Sequence, residues 1–96
     1  MIRLNCFIRV NAGKQDEVLA SARALTEASL RQEGCVAYDI FTSATRPDVM
    51  MICETWKDQA TLDLHTASEE FKKYVTEIQA GAEMKLERFE FKERSL

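Results

Sequence analysis

The amino-acid sequence predicts an α+β fold in which helices cover one face of an antiparallel β-sheet. Two observations lead to this class. Apolar and polar residues alternate with a period of two in several segments, and apolar residues recur at helical spacing in the segments between them. The three glycines, Gly13, Gly34 and Gly81, fall near the segment boundaries. The resulting order, βαββαβ, is that of a ferredoxin-like sandwich.

The first half of the chain predicts a strand, a helix and a second strand. Residues 2–10 alternate between apolar and polar side chains, which indicates a strand with one strongly apolar face. Asp16 lies in the first turn of a helix whose apolar stripe ends near Glu33, and Gly34 suits the C-terminal cap because it accepts a positive φ. The second strand is expected over about residues 35–42.

The second half predicts a third strand, two helical pieces and a last strand. The third strand covers roughly residues 49–55, after a loop that contains the only proline. Asp58 can cap a short helix and Ser68 can cap the next one, which Gly81 closes. Alternation then resumes through Phe91 as the final strand.

The face of the sheet that the helices leave uncovered predicts an assembly. On the first strand this face carries Asn5 and Phe7, and on the third strand it carries Glu54 and Trp56 if Met51 and Cys53 face the helices. Because large aromatic side chains are poorly suited to full exposure, two such sheets are expected to pair face to face. The sequence therefore predicts a homodimer.

Composition narrows the class of protein. The 96 residues suit a single domain spanning 1–96, and a formal net charge of −3 with interleaved cations argues against nucleic acid as a partner. No apolar run reaches membrane-spanning length, and no signal peptide is recognised, so no membrane partner is expected. Cys6, Cys35 and Cys53 lack metal-binding spacing and are interpreted as buried reduced thiols, which favours a cytoplasmic location.

Four polar residues are candidates for chemistry. His65, the only histidine, has a side chain that ordinarily titrates near neutrality and is the natural proton-transfer group. The alternative is a surface or helix-end histidine satisfied by a backbone carbonyl. Glu54 and Asp39 lie on strands expected to pair, and could tune each other if they share a face. Structural ion pairs with arginines remain open for both. Asn5 interrupts an apolar strand with an amide that could orient a substrate or an oxygen species.

Aromatic side chains could line a cavity for a flat ligand. The candidates for substrate binding are Trp56, Phe7, Phe41, Phe71 and Tyr74, with Asp39 beside them. Aromatic residues at strand or helix spacing are more often core residues, and this alternative is favoured for Phe71 and Tyr74. The sequence has no phosphate-binding glycine loop, no nucleophile elbow and no zinc-ligand spacing, so no metal site is expected.

The order and spacing of several short motifs resemble the antibiotic biosynthesis monooxygenase family, which includes small quinol monooxygenase-like proteins. The resemblance covers nearly the whole chain. The residues that carry it are Gly34-Cys35, Tyr38-Asp39-Ile40-Phe41, Glu54-Thr55-Trp56-Lys57-Asp58, Ala60, His65, Ser68 and Phe71. Each motif is weak alone, and in this order they are fairly specific for the family.

The resemblance implies a dimeric α/β barrel and, in some members, oxidation of quinols or aromatic polyketides by molecular oxygen without a metal or flavin cofactor. It places Asn5 on a first-strand asparagine of several members, Trp56 on a third-strand tryptophan and His65 on a histidine that follows the E-x-W-x-D motif. Haem-degrading relatives carry an iron-ligating histidine where this chain has Val75, so haem degradation is not expected unless His65 itself reaches the iron.

Two functions follow as hypotheses. The first is a cofactor-free monooxygenase for a quinol-like or polycyclic phenolic substrate, with His65 as general base, Asn5 orienting substrate or oxygen, and Glu54 tuning the base. The second is a non-catalytic small-molecule-binding or stress-response module of the same fold. A cavity large enough for two or three fused rings, with Asn5 and His65 both directed into it, would favour the enzyme, whereas a packed barrel with His65 in solvent would favour the non-catalytic protein.

Overall fold

The structure, a computed structural model, describes residues 1–95 and confirms the predicted α+β sandwich. The strands are β1 (Ile2–Val10), β2 (Cys35–Thr42), β3 (Val49–Trp56) and β4 (Ala82–Glu90), and the helices are α1 (Gln15–Leu30), α2 (Gln59–Ala67) and α3 (Glu69–Gln79). The strands form an antiparallel sheet of order β2-β3-β1-β4. None of the described helices is long and apolar enough to cross a membrane.

The end of α1 differs from the sequence prediction. The helix ends at Leu30 rather than near Glu33, because the Arg31 and Gln32 amides bond back to carbonyls only three residues earlier. Gly34 does have the expected positive φ, at 78°, but it lies in the turn that leads into β2 rather than at the helix cap. This turn spans residues 31–34 and contains Gln32, whose side chain contacts His65.

Both predicted caps in the second half are confirmed. The Asp58 carboxylate accepts the Thr61 amide at 2.9 Å, and the Thr61 hydroxyl accepts the Asp58 amide at 3.4 Å. The two hydrogen bonds form a capping box at the start of α2. The Ser68 hydroxyl accepts the Phe71 amide at 3.2 Å at the start of α3. The Asp58 capping box fixes the start of α2, and the Ser68 cap fixes the junction between α2 and α3.

The core lies between the helices and one face of the sheet. That face of β1 buries alternate apolar residues, and α1 and α3 pack against it; the members of this group are Ile2, Leu4, Cys6, Ile8, Val10, Val18, Ala22, Leu25 and Ile78. Burial of such side chains is the main favourable contribution to folding. The buried face of β1 therefore determines which side chains of the paired strands point toward the helices.

The expected facing of β3, with Met51 and Cys53 toward the helices, was wrong, because Met50 and Ile52 are the residues buried there. Glu54 pairs with Leu4, and Trp56 pairs with Ile2, so both side chains lie on the helix-covered face. Asp39 pairs with Cys53 on the opposite face, and Glu54 therefore does not share a face with Asp39. The predicted tuning of Glu54 by Asp39 is excluded by this register.

The uncovered face of the sheet, called the open face below, carries exposed aromatic side chains. Phe7, Phe41 and Phe89 are 41%, 50% and 49% exposed, and Met51 lies between Phe7 and Phe41 across the strands. Asn5 lies on the same face. An apolar surface of this kind is typical of an interface.

Replacing Gly34 with alanine is expected to destabilise the fold more than the same change at Gly13. Both glycines have a positive φ, 78° and 79°, which costs an L-residue about 1–2 kcal/mol. A Cβ at Gly34 would also overlap the Thr61 side chain, whereas a Cβ at Gly13 would meet nothing within 4 Å. Overpacking adds about 1–3 kcal/mol. Urea denaturation of Gly34→Ala and Gly13→Ala should show this difference, and equal losses would contradict the close packing of the turn against α2.

Candidate active site

The short helix α2 directs His65 into the core. Thr61, Leu62 and His65 form its buried face, and the His65 side chain is 1% exposed. The His65 carbonyl accepts both the Ser68 hydroxyl at 2.7 Å and the Ser68 amide at 3.1 Å. The helix junction therefore holds the histidine backbone in place, and the alternative of a solvent-exposed helix-end histidine is excluded.

Three aromatic rings surround the imidazole of His65. The Trp56 ring lies 4.5 Å away at an interplanar angle of 33°, the Phe71 ring lies 5.0 Å away, and the Tyr38 ring lies 5.6 Å away, measured between ring centroids. Trp56 is completely buried and lies behind the imidazole. The rings leave the imidazole little freedom to rotate.

The two imidazole nitrogens have different surroundings. Nδ1 lies 2.7 Å from Oε1 of Gln32, in the turn after α1. Nε2 has no hydrogen-bond partner among the residues that the structure describes, and the closest acidic atom to it is Oε1 of Glu54 at 3.9 Å. A buried nitrogen without a partner is uncommon and points to a role in binding or proton transfer.

Glu54 is a buried carboxyl group on β3. Its Oε1 accepts a hydrogen bond from Nε1 of Trp56 at 2.9 Å. Burial raises the pKa of Glu54 to about 7, and the neighbouring Trp56 and Tyr38 donors only partly oppose this rise. Glu54 can therefore gain or lose a proton near neutral pH.

His65 is held in its neutral form. Burial lowers the pKa of the imidazole from 6.5 to about 4, because the cation would be poorly solvated among the aromatic rings. At neutral pH the pair thus consists of a neutral imidazole and a carboxyl group near its titration midpoint. A neutral imidazole with a free nitrogen can accept a proton from a substrate.

A cavity of about 280 Å³ lies next to this pair, between the sheet and α3. His65, Glu54, Tyr38 and Cys6 supply its polar groups, and most of the rest of its wall is apolar: Leu4, Leu25, Ile52, Phe71, Val75, Met84 and Leu86, with Thr66 and Gln79 beside them. Burial raises the pKa of the Cys6 thiol to about 11, so the thiol stays protonated. Apolar walls with a few convergent polar groups are typical of a small-molecule site.

A larger depression of about 570 Å³ lies at the end of the sheet near Lys57, Arg88 and Lys92. It is bordered mainly by exposed charged side chains, and the buried pair is not part of it. Within residues 1–95, no group of three or more histidine, cysteine, aspartate or glutamate side chains is arranged to hold a metal ion.

The structure brings only some of the predicted site residues together. His65, Glu54 and Phe71 border the cavity, and Trp56 contacts His65 from behind. Tyr74 packs against the core without lining the cavity. The remaining candidates, Asn5, Phe7, Asp39 and Phe41, lie on the open face and do not line this cavity, so the expectation that Asn5 and His65 point into one pocket was wrong.

Three residues of the site were not predicted. Cys6 is in phase with the buried Leu4 of its strand, and Tyr38 is in phase with Ile40, so period two could have assigned both to the cavity face. Gln32 lies in an irregular turn, where no periodicity indicates the direction of a side chain.

The fold and site together define a class of protein: a ferredoxin-like α+β protein with a buried histidine–glutamate pair beside an apolar cavity. The family model described as antibiotic biosynthesis monooxygenase matches residues 1–77. The chain belongs to this family.

Known relatives agree with that assignment. The chain is 32% identical to "Putative monooxygenase YcnE" of Bacillus subtilis (strain 168) over 78% of this chain and 79% of that protein. It is 52% identical to a Bacteroides thetaiotaomicron VPI-5482 crystal structure described as a conserved protein of unknown function and "Possible Oxidoreductase", with a TM-score of 0.92 over 94% of this chain and 96% of that chain.

A more distant structure shows the same fold. SnoaB from Streptomyces nogalater, a cofactor-independent oxygenase, superposes with a TM-score of 0.85 over 97% of this chain and 94% of that chain. The two sequences are 15% identical, so this likeness concerns the fold alone.

Proposed function

We propose that this protein is a homodimeric monooxygenase that needs no metal or flavin and oxidises a quinol-like or polycyclic phenolic substrate with molecular oxygen. The observation that carries the proposal is Nε2 of His65, a buried nitrogen without a partner among the described residues, at the wall of an apolar cavity. Membership of the monooxygenase family and the name of YcnE support the reaction class.

In this proposal, His65 acts as general base. Nε2 takes the proton of a substrate hydroxyl, and the electron-rich anion reduces oxygen to form a peroxide at a ring carbon. The imidazolium returns its proton to the peroxide. The ring carbon that bears the hydroperoxide then loses its hydrogen as a proton while the O–O bond breaks, and this proton and the departing hydroxide form water. For naphthalene-1,4-diol the products are a hydroxynaphthoquinone and one water, so one oxygen atom enters each product. Glu54, 3.9 Å from Nε2, stabilises the imidazolium when its carboxyl group is ionised.

The size of the cavity favours compact substrates. Its volume of about 280 Å³ is close to the lower end of the range of ligand pockets, roughly 300–1,000 Å³. The walls are mainly aliphatic with Phe71 on one side, which suits a flat aromatic ring system. We therefore place two-ring phenols ahead of larger polycyclic compounds as substrates.

Oxygen uptake with a panel of dihydroxynaphthalenes and anthrones tests the proposal. Protein freed of metal with a chelator should consume oxygen in proportion to its concentration, above the rate of spontaneous oxidation. If the panel binds, as measured by calorimetry, without faster oxygen uptake, the non-catalytic binding module is the better account. Activity that disappears with chelation and returns with added metal would overturn the cofactor-free reaction.

The open face supports the homodimer. Its three exposed phenylalanines would be covered by the same face of a second copy, and the Oδ1 atom of Asn5, buried and without a partner among residues 1–95, could find one there. We also propose a cytoplasmic location, since Cys6, Cys35 and Cys53 are free thiols, of which only Cys6 is fully buried as expected and the other two are half-buried.

Replacing Phe7 with glutamate should weaken the dimer. Wild-type protein should elute with twice the 11.0 kDa chain mass in size-exclusion chromatography with light scattering. Loss of one buried aromatic side chain per copy costs about 1.5–3 kcal/mol, so Phe7→Glu should raise the dissociation constant at least about tenfold. Leu64, 63% exposed on α2, provides the matched control Leu64→Glu. A monomeric wild type, or equal effects of both changes, would contradict the open-face dimer.

A further inference from the structure

The turn between α1 and β2 contacts the base directly through Gln32. Oε1 of Gln32 lies 2.7 Å from Nδ1 of His65, 33 residues away in sequence. The Gln32 backbone is held on both sides, since its amide donates to Ser29 at 3.0 Å and its carbonyl accepts the Cys35 amide at 3.3 Å. The glutamine therefore reaches His65 from a fixed backbone position.

The same turn packs tightly against the helix that carries His65. Gly34 approaches Thr61 so closely that a Cβ would overlap the threonine side chain, and the Gly34 carbonyl accepts the Lys57 amide at 2.8 Å. Thr61 lies one helical turn before His65. The distance between Gln32 and His65 is thus set by packing on each side of the hydrogen bond.

The chemistry of this hydrogen bond selects one form of the imidazole. A neutral imidazole carries one proton, and a glutamine Oε1 can only accept, so Nδ1 must carry the proton. Nε2 then has a free lone pair. The opposite tautomer would place an N–H on Nε2, whose nearest acidic oxygen, on Glu54, lies 3.9 Å away, beyond hydrogen-bond distance.

We propose that Gln32 is a positioning residue that holds His65 in the Nδ1–H tautomer and thereby presents the Nε2 lone pair to the hydroxyl group of a substrate in the cavity. The catalytic use of this lone pair rests on the proposed function, whereas the tautomer itself is a property of the free protein. Gln32 does not line the cavity, so it acts through His65 and not by binding the substrate.

Nitrogen NMR of the imidazole tests the proposal in the protein without substrate. Because the chain has one histidine, ¹⁵N-histidine labelling gives a single pair of ring-nitrogen signals that can be assigned without ambiguity. The wild type at neutral pH should show a protonated Nδ1 and an unprotonated Nε2. A wild type with the proton on Nε2 would overturn the proposal, whatever its activity.

Variants of Gln32 separate positioning from folding. Gln32→Leu removes the acceptor and should shift the main population to the Nε2–H tautomer, while Gln32→Glu retains an acceptor and should keep the proton on Nδ1. Gln59→Leu, on the exposed start of α2, is the matched control and should leave the tautomer unchanged. Retention of Nδ1–H in a folded Gln32→Leu protein would overturn the proposal. If that variant does not fold, the wild-type and Gln32→Glu spectra still decide.

A kinetic measurement complements the spectra. Loss of one hydrogen bond to the base should lower kcat of Gln32→Leu at least about tenfold, while KM changes less than about twofold because the cavity wall is intact. If the wild type shows no oxygenation, the proposed function fails and the NMR result still tests the role of Gln32. A large change in KM with unchanged kcat would contradict a positioning role.

Discussion

His65→Gln is expected to lower the turnover number for oxygen uptake by about 10²- to 10⁴-fold, the usual contribution of a general base. Nε2 of His65 is the buried basic atom at the cavity wall that has no hydrogen-bond partner in the described part of the chain. A glutamine side chain can fill much of the same space but cannot accept the substrate proton. The initial rate of oxygen consumption at saturating naphthalene-1,4-diol measures the effect.

The neighbouring position provides the control for this change. Leu64 precedes His65 on the same helix and is 63% exposed, so Leu64→Ala should leave the rate unchanged. Thermal unfolding of His65→Gln should confirm that the variant is folded at the assay temperature. If a folded His65→Gln protein has a rate within about threefold of wild type, His65 is not the general base.

The buried pair should also produce opposite pH dependences of stability in two variants. Burial lowers the pKa of His65 from 6.5 to about 4, so its contribution to stability is complete above 6.5 and is lost as the pH falls through 4. Burial raises the pKa of Glu54 from 4.5 to about 7, so its contribution is complete below 4.5 and is lost as the pH rises through 7. In the wild type the two dependences largely cancel between these limits.

Replacing either His65 or Glu54 reveals the pH dependence of stability that the remaining residue produces. Relative to wild type, the free energy of unfolding of His65→Gln should rise by about 3 kcal/mol as the pH falls from 7 to 4, and that of Glu54→Gln should fall by a similar amount. Urea denaturation at several pH values measures both differences, in which the titration of unchanged surface groups cancels. Parallel pH profiles for the three proteins would contradict the description of a buried, uncharged pair.

Much of the fold is predictable from the sequence because its patterns are local. The strict alternation in β1 identifies a strand and its buried face, and Asp58 and Ser68 mark the starts of α2 and α3 through bonds within one helical turn. The end of α1 was placed too late because Gly34 was interpreted as a helix cap. Its positive φ belongs instead to the turn that approaches Thr61, a contact distant in sequence.

The phase of β3 could not be predicted from its own residues. Val49, Met50, Met51, Ile52 and Cys53 are apolar without alternation, so period two does not indicate which of them face the helices. The pairing of Leu4 with Glu54 sets the phase and buries Glu54. A buried glutamate contradicts the expectation from polarity, and its partner Trp56, two residues along the same face, provides the compensating hydrogen bond.

The site residues also divide into those that the local sequence identifies and those that depend on contacts distant in sequence. His65 was identified because it is the only histidine, while the direction of its side chain depends on the packing of α2 against the sheet. Gln32 was missed because a glutamine in a turn is usually a solvated surface residue. Asn5 was assigned by motif position, and the strand register places it on the open face.

Labelled oxygen distinguishes cofactor-free monooxygenation at His65 from simple oxidation of the substrate. Chelator-treated protein is incubated with naphthalene-1,4-diol under ¹⁸O₂, and the quinone product and the peroxide formed are analysed at once. We expect a hydroxynaphthoquinone that carries one ¹⁸O atom, little hydrogen peroxide, and loss of this product in His65→Gln. An unlabelled naphthoquinone formed with one equivalent of hydrogen peroxide, at the same rate in wild type and His65→Gln, would contradict this mechanism.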